Sequence, residues 1–146
     1  NIIATARVLE AARKASVKKF VYSASSSCYG IAKSPTSENE AINPLYPYAM
    51  SKYMGEKLCL HWHKLYNLPV NSIRIFNAYG PRVKTTGAYG AVFGVFFKQK
   101  LENKAFTVVG KGDQKRDFVY VSDVVDAFFK CSQSKFSGEI FNLGTG

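Results

Sequence analysis

A hydroxyl from the serine cluster at 23–27, with Tyr48 and Lys52, makes a proton-handling set for an alcohol. Tyr48 and Lys52 stand four residues apart in Tyr48-Ala49-Met50-Ser51-Lys52. On a helix that spacing puts both side chains on one face, one turn apart. An ammonium held beside a phenol favours the phenolate. A phenolate backed by a hydroxyl can take the proton of an alcohol and return it. The hydroxyls come from the run Ser23-Ala24-Ser25-Ser26-Ser27-Cys28-Tyr29-Gly30, which follows the apolar Phe20-Val21-Tyr22.

The elements around these groups follow from periodicity and punctuation. Residues 1–16 place Ile2, Ile3, Ala6, Leu9 and Ala12 at helical spacing, with Arg7, Glu10, Arg13 and Lys14 mostly opposite. A buried strand is expected over 19–24, and a loop over 25–47 carrying Gly30, Pro35, Asn43, Pro44 and Pro47. The helix with Tyr48 and Lys52 is expected over 48–66, stopped by Asn67-Leu68-Pro69. A strand over 70–76, a loop over 77–82, a helix over 91–102 and a short strand over 106–109 follow. The turn 110–113 leads to a strand over 117–121. Ser122 reads as the N-cap of a helix over 123–132, with Asp123 and Asp126 near its positive end. A last strand spans 139–143. Helices alternating with strands in this way indicate an α/β chain with a largely parallel sheet.

Composition narrows the function classes. At 47% hydrophobic residues the 146-residue chain can bury a core, which excludes disorder. No apolar run approaches the roughly 20 residues of a membrane span, and Asn1-Ile2-Ile3-Ala4-Thr5 lacks a secretory layout. The cysteines Cys28, Cys59 and Cys131 are odd in number and far apart, which suits a reducing, cytoplasmic compartment. Cys28 is expected to pack as a small apolar group. His61 and His63, two apart on a helix, point to different faces, so no metal site is expected. The net charge of +10 raises nucleic acid as a partner, but the lysines are scattered and form no stripe with aromatics. The charge is otherwise a lysine-rich solvated surface or a match to an anionic small-molecule substrate.

Several motifs occur in order. They are the serine loop ending in Tyr29-Gly30, Pro47-Tyr48-Ala49-Met50-Ser51-Lys52, Arg74-Ile75-Phe76-Asn77-Ala78-Tyr79-Gly80-Pro81-Arg82, Arg116-Asp117-Phe118-Val119-Tyr120-Val121-Ser122-Asp123-Val124, and Asn142-Leu143-Gly144-Thr145-Gly146. With these the chain resembles the extended short-chain dehydrogenase/reductase superfamily, in its NAD-dependent epimerase/dehydratase branch. The resemblance implies an α/β, Rossmann-like doubly wound parallel sheet plus a smaller substrate-binding region. Residues 1–82 would form the second half of the NAD-binding domain with the catalytic groups. Residues 83–146 would mainly bind a nucleotide sugar, with strands returning to the sheet. The Gly-rich turn that should cradle a dinucleotide pyrophosphate is not found, since Gly87, Gly90 and Gly94 are wrongly spaced and follow no strand. The expectation is a fragment of a longer protein, lacking an N-terminal Gly-rich βαβ unit and a C-terminal segment.

The resemblance also implies roles. Ser25, Tyr48 and Lys52 would be catalytic. Ser23, Tyr48, Lys52 and Phe76 would meet NAD. Ser25, Asn77, Ala91, Val92, Thr107, Val109 and Arg116 would surround the nucleotide sugar, a UDP-hexose. On sequence alone, Arg116 has a rival use as a salt bridge to Asp117. Dehydratases and decarboxylases of the family carry an acid where Ser26 and Ser27 stand here, so the implied reaction is C4 epimerisation through a 4-keto sugar. Ser26 and Ser27 also have the plainer use of satisfying turn backbone. The alternatives are an NAD(P)-dependent reductase or dehydrogenase of the same family, and a non-catalytic relative binding RNA or protein through its basic surface. A homodimer through the 48–66 helix is implied, with Met54, Leu58, Leu60 and Trp62 available for contact or for core.

Overall fold

The computed structural model describes residues 1–85 and 92–146. Helix α1 (Ile2–Lys14) buries Leu9 and Ala12 and pairs Arg13 with Glu10 one turn back at 2.7 Å. Strand β1 (Phe20–Ser25) ends in a 3₁₀ turn (Ser26–Tyr29) that buries Cys28 and Tyr29. Helix α2 (Pro47–Tyr66) starts on Pro47, whose missing N–H costs nothing at that position. It stops at Asn67, which takes the left-handed conformation at φ 54° and donates its N–H to His63 O. Strand β2 (Val70–Ile75) is buried over its first five residues. Then come β3 (Asn77–Tyr79), α3 (Val92–Leu101), β4 (Phe118–Tyr120), α4 (Val121–Gln133) and β5 (Ile140–Leu143).

The main sheet has the order β1-β2-β5 and is parallel throughout, with Ser25 beside Ile75 and Arg74 beside Asn142. Parallel neighbours need a crossover, and α2 supplies it between β1 and β2. A second parallel pair joins β3 to β4, with Asn77 beside Phe118. Leu9, Ala12, Tyr22, Ala24, Cys59, Leu68 and Val70 form the core between α1, α2 and the sheet.

The elements differ from the sequence reading in three places. Residues 106–109 form no strand. Phe106, Val108 and Val109 are exposed, and Thr107 instead bonds the Gln99 amide through its N–H and its hydroxyl. Ser122 is not an N-cap. Strand β4 runs straight into α4, Tyr120 holds the cap position without a side-chain bond, and Ser122 Oγ turns to Asp123. Asn77–Tyr79, expected as loop, is a strand because Phe118–Tyr120 lies alongside it. On α2, Leu58 and Trp62 pack against the core while Met54 is exposed.

Candidate active site

Ser25 is both the last residue of β1 and the N-cap of the 3₁₀ turn. Its Oγ accepts the Ser27 N–H at 3.3 Å and shares a hydrogen bond with Ser27 Oγ at 2.8 Å. The turn therefore fixes the Ser25 hydroxyl at the carboxyl end of a parallel strand, where ligands bind in doubly wound sheets.

Tyr48 sits in the first turn of α2 and is 39% exposed, facing the same cleft. One turn on, Lys52 Nζ donates to the Ser23 carbonyl at 2.8 Å and lies over the Tyr22 ring. Burial pulls the Lys52 pKa below that of an ordinary lysine. This reach depends on a close approach of helix to strand at Gly55. A methyl there would stand 2.1 Å from the Tyr22 hydroxyl and push α2 off the sheet.

Ser25, Tyr48, Phe76, Asn77 and Arg116 line one open cleft of about 680 Å³. Phe76 and Asn77 are carried there by the step from β2 to β3, where Phe76 N–H donates to Leu143 O at 3.0 Å. Asn77 Nδ2 donates to the Asp117 carbonyl at 2.9 Å. Arg116 is exposed at the rim and donates to its neighbour's carbonyl, Lys115 O. Its rival use as a partner of Asp117 is not seen, since that carboxylate takes Thr145 and Gly146 instead. Ser23 and Lys52 lie behind the cleft wall. Val92, Thr107 and Val109 are exposed and are not among the cleft residues, and Ala91 lies outside the described residues.

A buried network that the residue pattern did not disclose holds the site together. Arg74 of β2 donates from Nε and Nη2 to Glu56 of α2 at 2.9 and 2.6 Å, and both side chains are nearly inaccessible (3% and 1%). Ser72 Oγ donates to the same carboxylate. Arg74 Nη1 donates to Tyr29 Oη at 2.6 Å, and the Tyr29 hydroxyl in turn donates to Asn142 Oδ1 at 2.7 Å. Asn142 then grips residues 36–38, donating Nδ2 to Thr36 O and its N–H to Glu38. Burial alone would lower the Arg74 pKa, but its bonds to Glu56 and Tyr29 outweigh this and raise it. Burial pushes the Cys28 thiol up to about 11, in keeping with an inert packing role. The one available signal was Glu56 itself, a carboxylate one turn beyond Lys52 on an inward face.

The profile of the NAD dependent epimerase/dehydratase family matches residues 1–144. The chain belongs to this family. It is 40% identical over 148 residues to a UDP-glucose 4-epimerase of Mycolicibacterium smegmatis, covering 100% of this chain and 47% of that protein. It is also 38% identical over 151 residues to a UDP-N-acetyl-alpha-D-glucosaminuronate decarboxylase of Bacillus cytotoxicus, covering 99% and 46%. Among solved structures, the UDP-glucuronic acid 4-epimerase from Bacillus cereus in complex with UDP-glucuronic acid and NAD superposes with a TM-score of 0.91 at 35% identity, over 99% of this chain and 46% of that one. The chain thus spans about half the length of these relatives. Its Rossmann-like α/β sheet and NAD-dependent family are as expected from its motifs.

Proposed function

We propose that this chain supplies the catalytic half of an NAD-dependent nucleotide-sugar epimerase that inverts C4 of a UDP-hexose. The observation that carries this reading is the make-up of the cleft. It holds Ser25 and Tyr48, and among the described residues its sole carboxylate, Asp117, is engaged with Thr145 and Gly146. Elimination of water or loss of carbon dioxide from the sugar calls for a further acid or base, and Ser26 and Ser27 offer only hydroxyls where family dehydratases and decarboxylases carry one. Epimerisation needs a proton taken from the C4 hydroxyl and later returned, which one phenol and one serine can do.

The residues fit NAD. Tyr48 and Phe76 line the cleft with Ser25 at the end of β1, and one turn on from Tyr48 the Lys52 ammonium is already oriented by the Ser23 carbonyl. Bound there, NAD would accept the hydride from C4 and return it to the opposite face of the ketone. Tyr48 would hold the proton of the C4 hydroxyl, with Ser25 bonded to the same oxygen. Lys52 would contact the nicotinamide ribose and favour the phenolate of Tyr48. Asn77 and Arg116 would hold the diphosphate, for which guanidinium is a strong charge-assisted partner. In this reading residues 1–82 carry the chemistry and 83–146 mainly the nucleotide sugar, while a Gly-rich βαβ unit for the pyrophosphate lies in the remaining length seen in the relatives. Val92, Thr107 and Val109, with Ala91, would then border the nucleobase and ribose away from the sugar cleft.

The test uses the full-length protein with catalytic NAD and UDP-glucose or UDP-N-acetylglucosamine, followed through the anomeric protons by NMR. A C4 epimer should grow in without free NADH, and Tyr48→Phe should slow turnover by about 10²- to 10⁴-fold, the range for a lost acid–base group. Stoichiometric release or consumption of NADH would make the protein a reductase or dehydrogenase instead. No change in either sugar would sink the assignment to common UDP-hexoses.

A further inference from the structure

Asp117 occupies an awkward place for a carboxylate if the cleft takes an anionic diphosphate. It lines the cleft beside Arg116 and also borders the adjoining chamber with Gly144 and Gly146. Yet its charge is spent on the segment that follows β5. Oδ1 accepts the Thr145 N–H and the Thr145 hydroxyl, each at 2.8 Å, and Oδ2 accepts the Gly146 N–H at 3.3 Å. Its backbone carbonyl accepts both the Asn77 N–H at 3.1 Å and Asn77 Nδ2 at 2.9 Å. One residue therefore joins the start of β3 to the segment that leaves β5, and so ties the two sheets together beside Arg116. The fit is close: a methyl on Gly144 would come within 2.1 Å of Asp117 Oδ2.

We propose that Asp117 is a positioning residue for nucleotide-sugar binding: its carboxylate anchors residues 144–146 while its carbonyl aims the Asn77 amide, so that Asn77 and Arg116 present one preformed donor corner to the diphosphate. The inference rests on the nucleotide-sugar reading above. It deepens that reading, because Asp117 would act through Thr145, Gly146 and Asn77, to which its oxygens are bonded. Replacing the carboxylate by an amide puts a donor opposite the Thr145 or Gly146 N–H, and donor facing donor releases the segment. Substrate binding would suffer and the proton-handling groups at Tyr48 would not. That is the signature of lost uniform binding, a raised KM with little change in kcat.

The experiment compares full-length wild type with Asp117→Asn, Asp117→Glu and Gly144→Ala. It measures kcat and KM for the UDP-hexose, UDP affinity by calorimetry, and amide hydrogen exchange of the peptide containing residues 144–146. Asp117→Asn and Gly144→Ala, which disturb one contact from its two sides, should each raise KM and the UDP dissociation constant about tenfold, with kcat within about twofold. Both should speed exchange at 144–146, and Asp117→Glu, which keeps a carboxylate, should lie nearer wild type. Unchanged KM and UDP affinity, or a fall in kcat alone, overturns the proposal. A wild-type protein that neither binds UDP nor turns over a UDP-hexose removes the function proposed above. Unaltered exchange in Asp117→Asn would then remove the anchor too, whereas faster exchange would uphold it.

Discussion

Glu56→Gln tests the buried network where its energetics are sharpest. The substitution keeps the shape and one acceptor oxygen but removes the charge that faces Arg74 at 2.6 Å, with both side chains sealed from solvent. An exposed ion pair would give up at most about 1 kcal/mol. Breaking a buried pair from one side costs about 3–5 kcal/mol, because the remaining charge stays desolvated. The retained oxygen, together with Tyr29 Oη and Glu38 O on the guanidinium, places Glu56→Gln near the lower end, about 3 kcal/mol. At about 2 °C per kcal/mol, the low end for a protein about twice the length of this chain, the melting temperature of the full-length protein should fall by about 6 °C. The double variant Glu56→Met/Arg74→Met removes both charges and should recover most of that loss. Thermal unfolding followed by Trp62 fluorescence reads the core directly, since Trp62 packs against it. The reasoning fails if Glu56→Gln melts within about 2 °C of wild type, the level of a surface pair. It fails equally if the double variant is as damaged as the two single variants added together.

Two further outcomes follow from the site. Because burial lowers the Lys52 pKa, kcat should decline on the alkaline side below the ordinary lysine value of 10.5, and a limb at or above that value would contradict the role of its ammonium. The sign for stability is opposite: between the folded pKa and 10.5 the unfolded chain binds the extra proton, so this group's contribution to folding rises with pH. Tyr29→Phe strips one hydroxyl from the Arg74–Tyr29–Asn142 relay and should lower kcat about tenfold through slack in the serine turn, with UDP affinity within about twofold. Unchanged kcat with a lowered melting temperature would make that hydroxyl purely structural.

Local signals in the sequence carried most of the fold. Asn67 stopped α2 where expected, because it takes a left-handed cap readily, and the helix starts one residue before the expected 48, on Pro47, whose missing N–H costs nothing there. The strand expected over 70–76 is there as β2, and the four-residue step from Tyr48 to Lys52 put both on a helix, as expected. The Ser122 cap was a local miss, whereas the other two failures were long-range. Phe106-Thr107-Val108-Val109 has strand propensity but no described strand beside it, and propensity without a partner does not make a strand. Asn77–Tyr79 became a strand only through residues some forty positions later. Tyr29 meets Asn142 across 113 residues, a contact no spacing rule anticipates.

That long-range network also explains why the elements carrying the proposed catalytic groups were legible while their support was not. Ser25 and Tyr48 come from different elements, a strand end and a helix start, and neither element contains what sets their separation. Glu56 ties α2 to Arg74, and Tyr29 ties the serine turn to the same guanidinium, so one side chain on β2 is bonded to both carriers. Asn142 and Glu38 extend the tie to residues 36–38, beside Ser34 and Thr36 on the cleft wall. A buried ion pair adds little net stability over an apolar pair of the same volume, but its geometry admits few alternative packings. Here Arg74 donates in several directions, to Glu56, Tyr29 and Glu38, and so holds helix, turn and loop against one strand. Proton transfer at an alcohol tolerates little error in distance. The ion pair therefore sits where positional error would cost the chemistry most, one residue short of the end of β2 and directly behind the cleft.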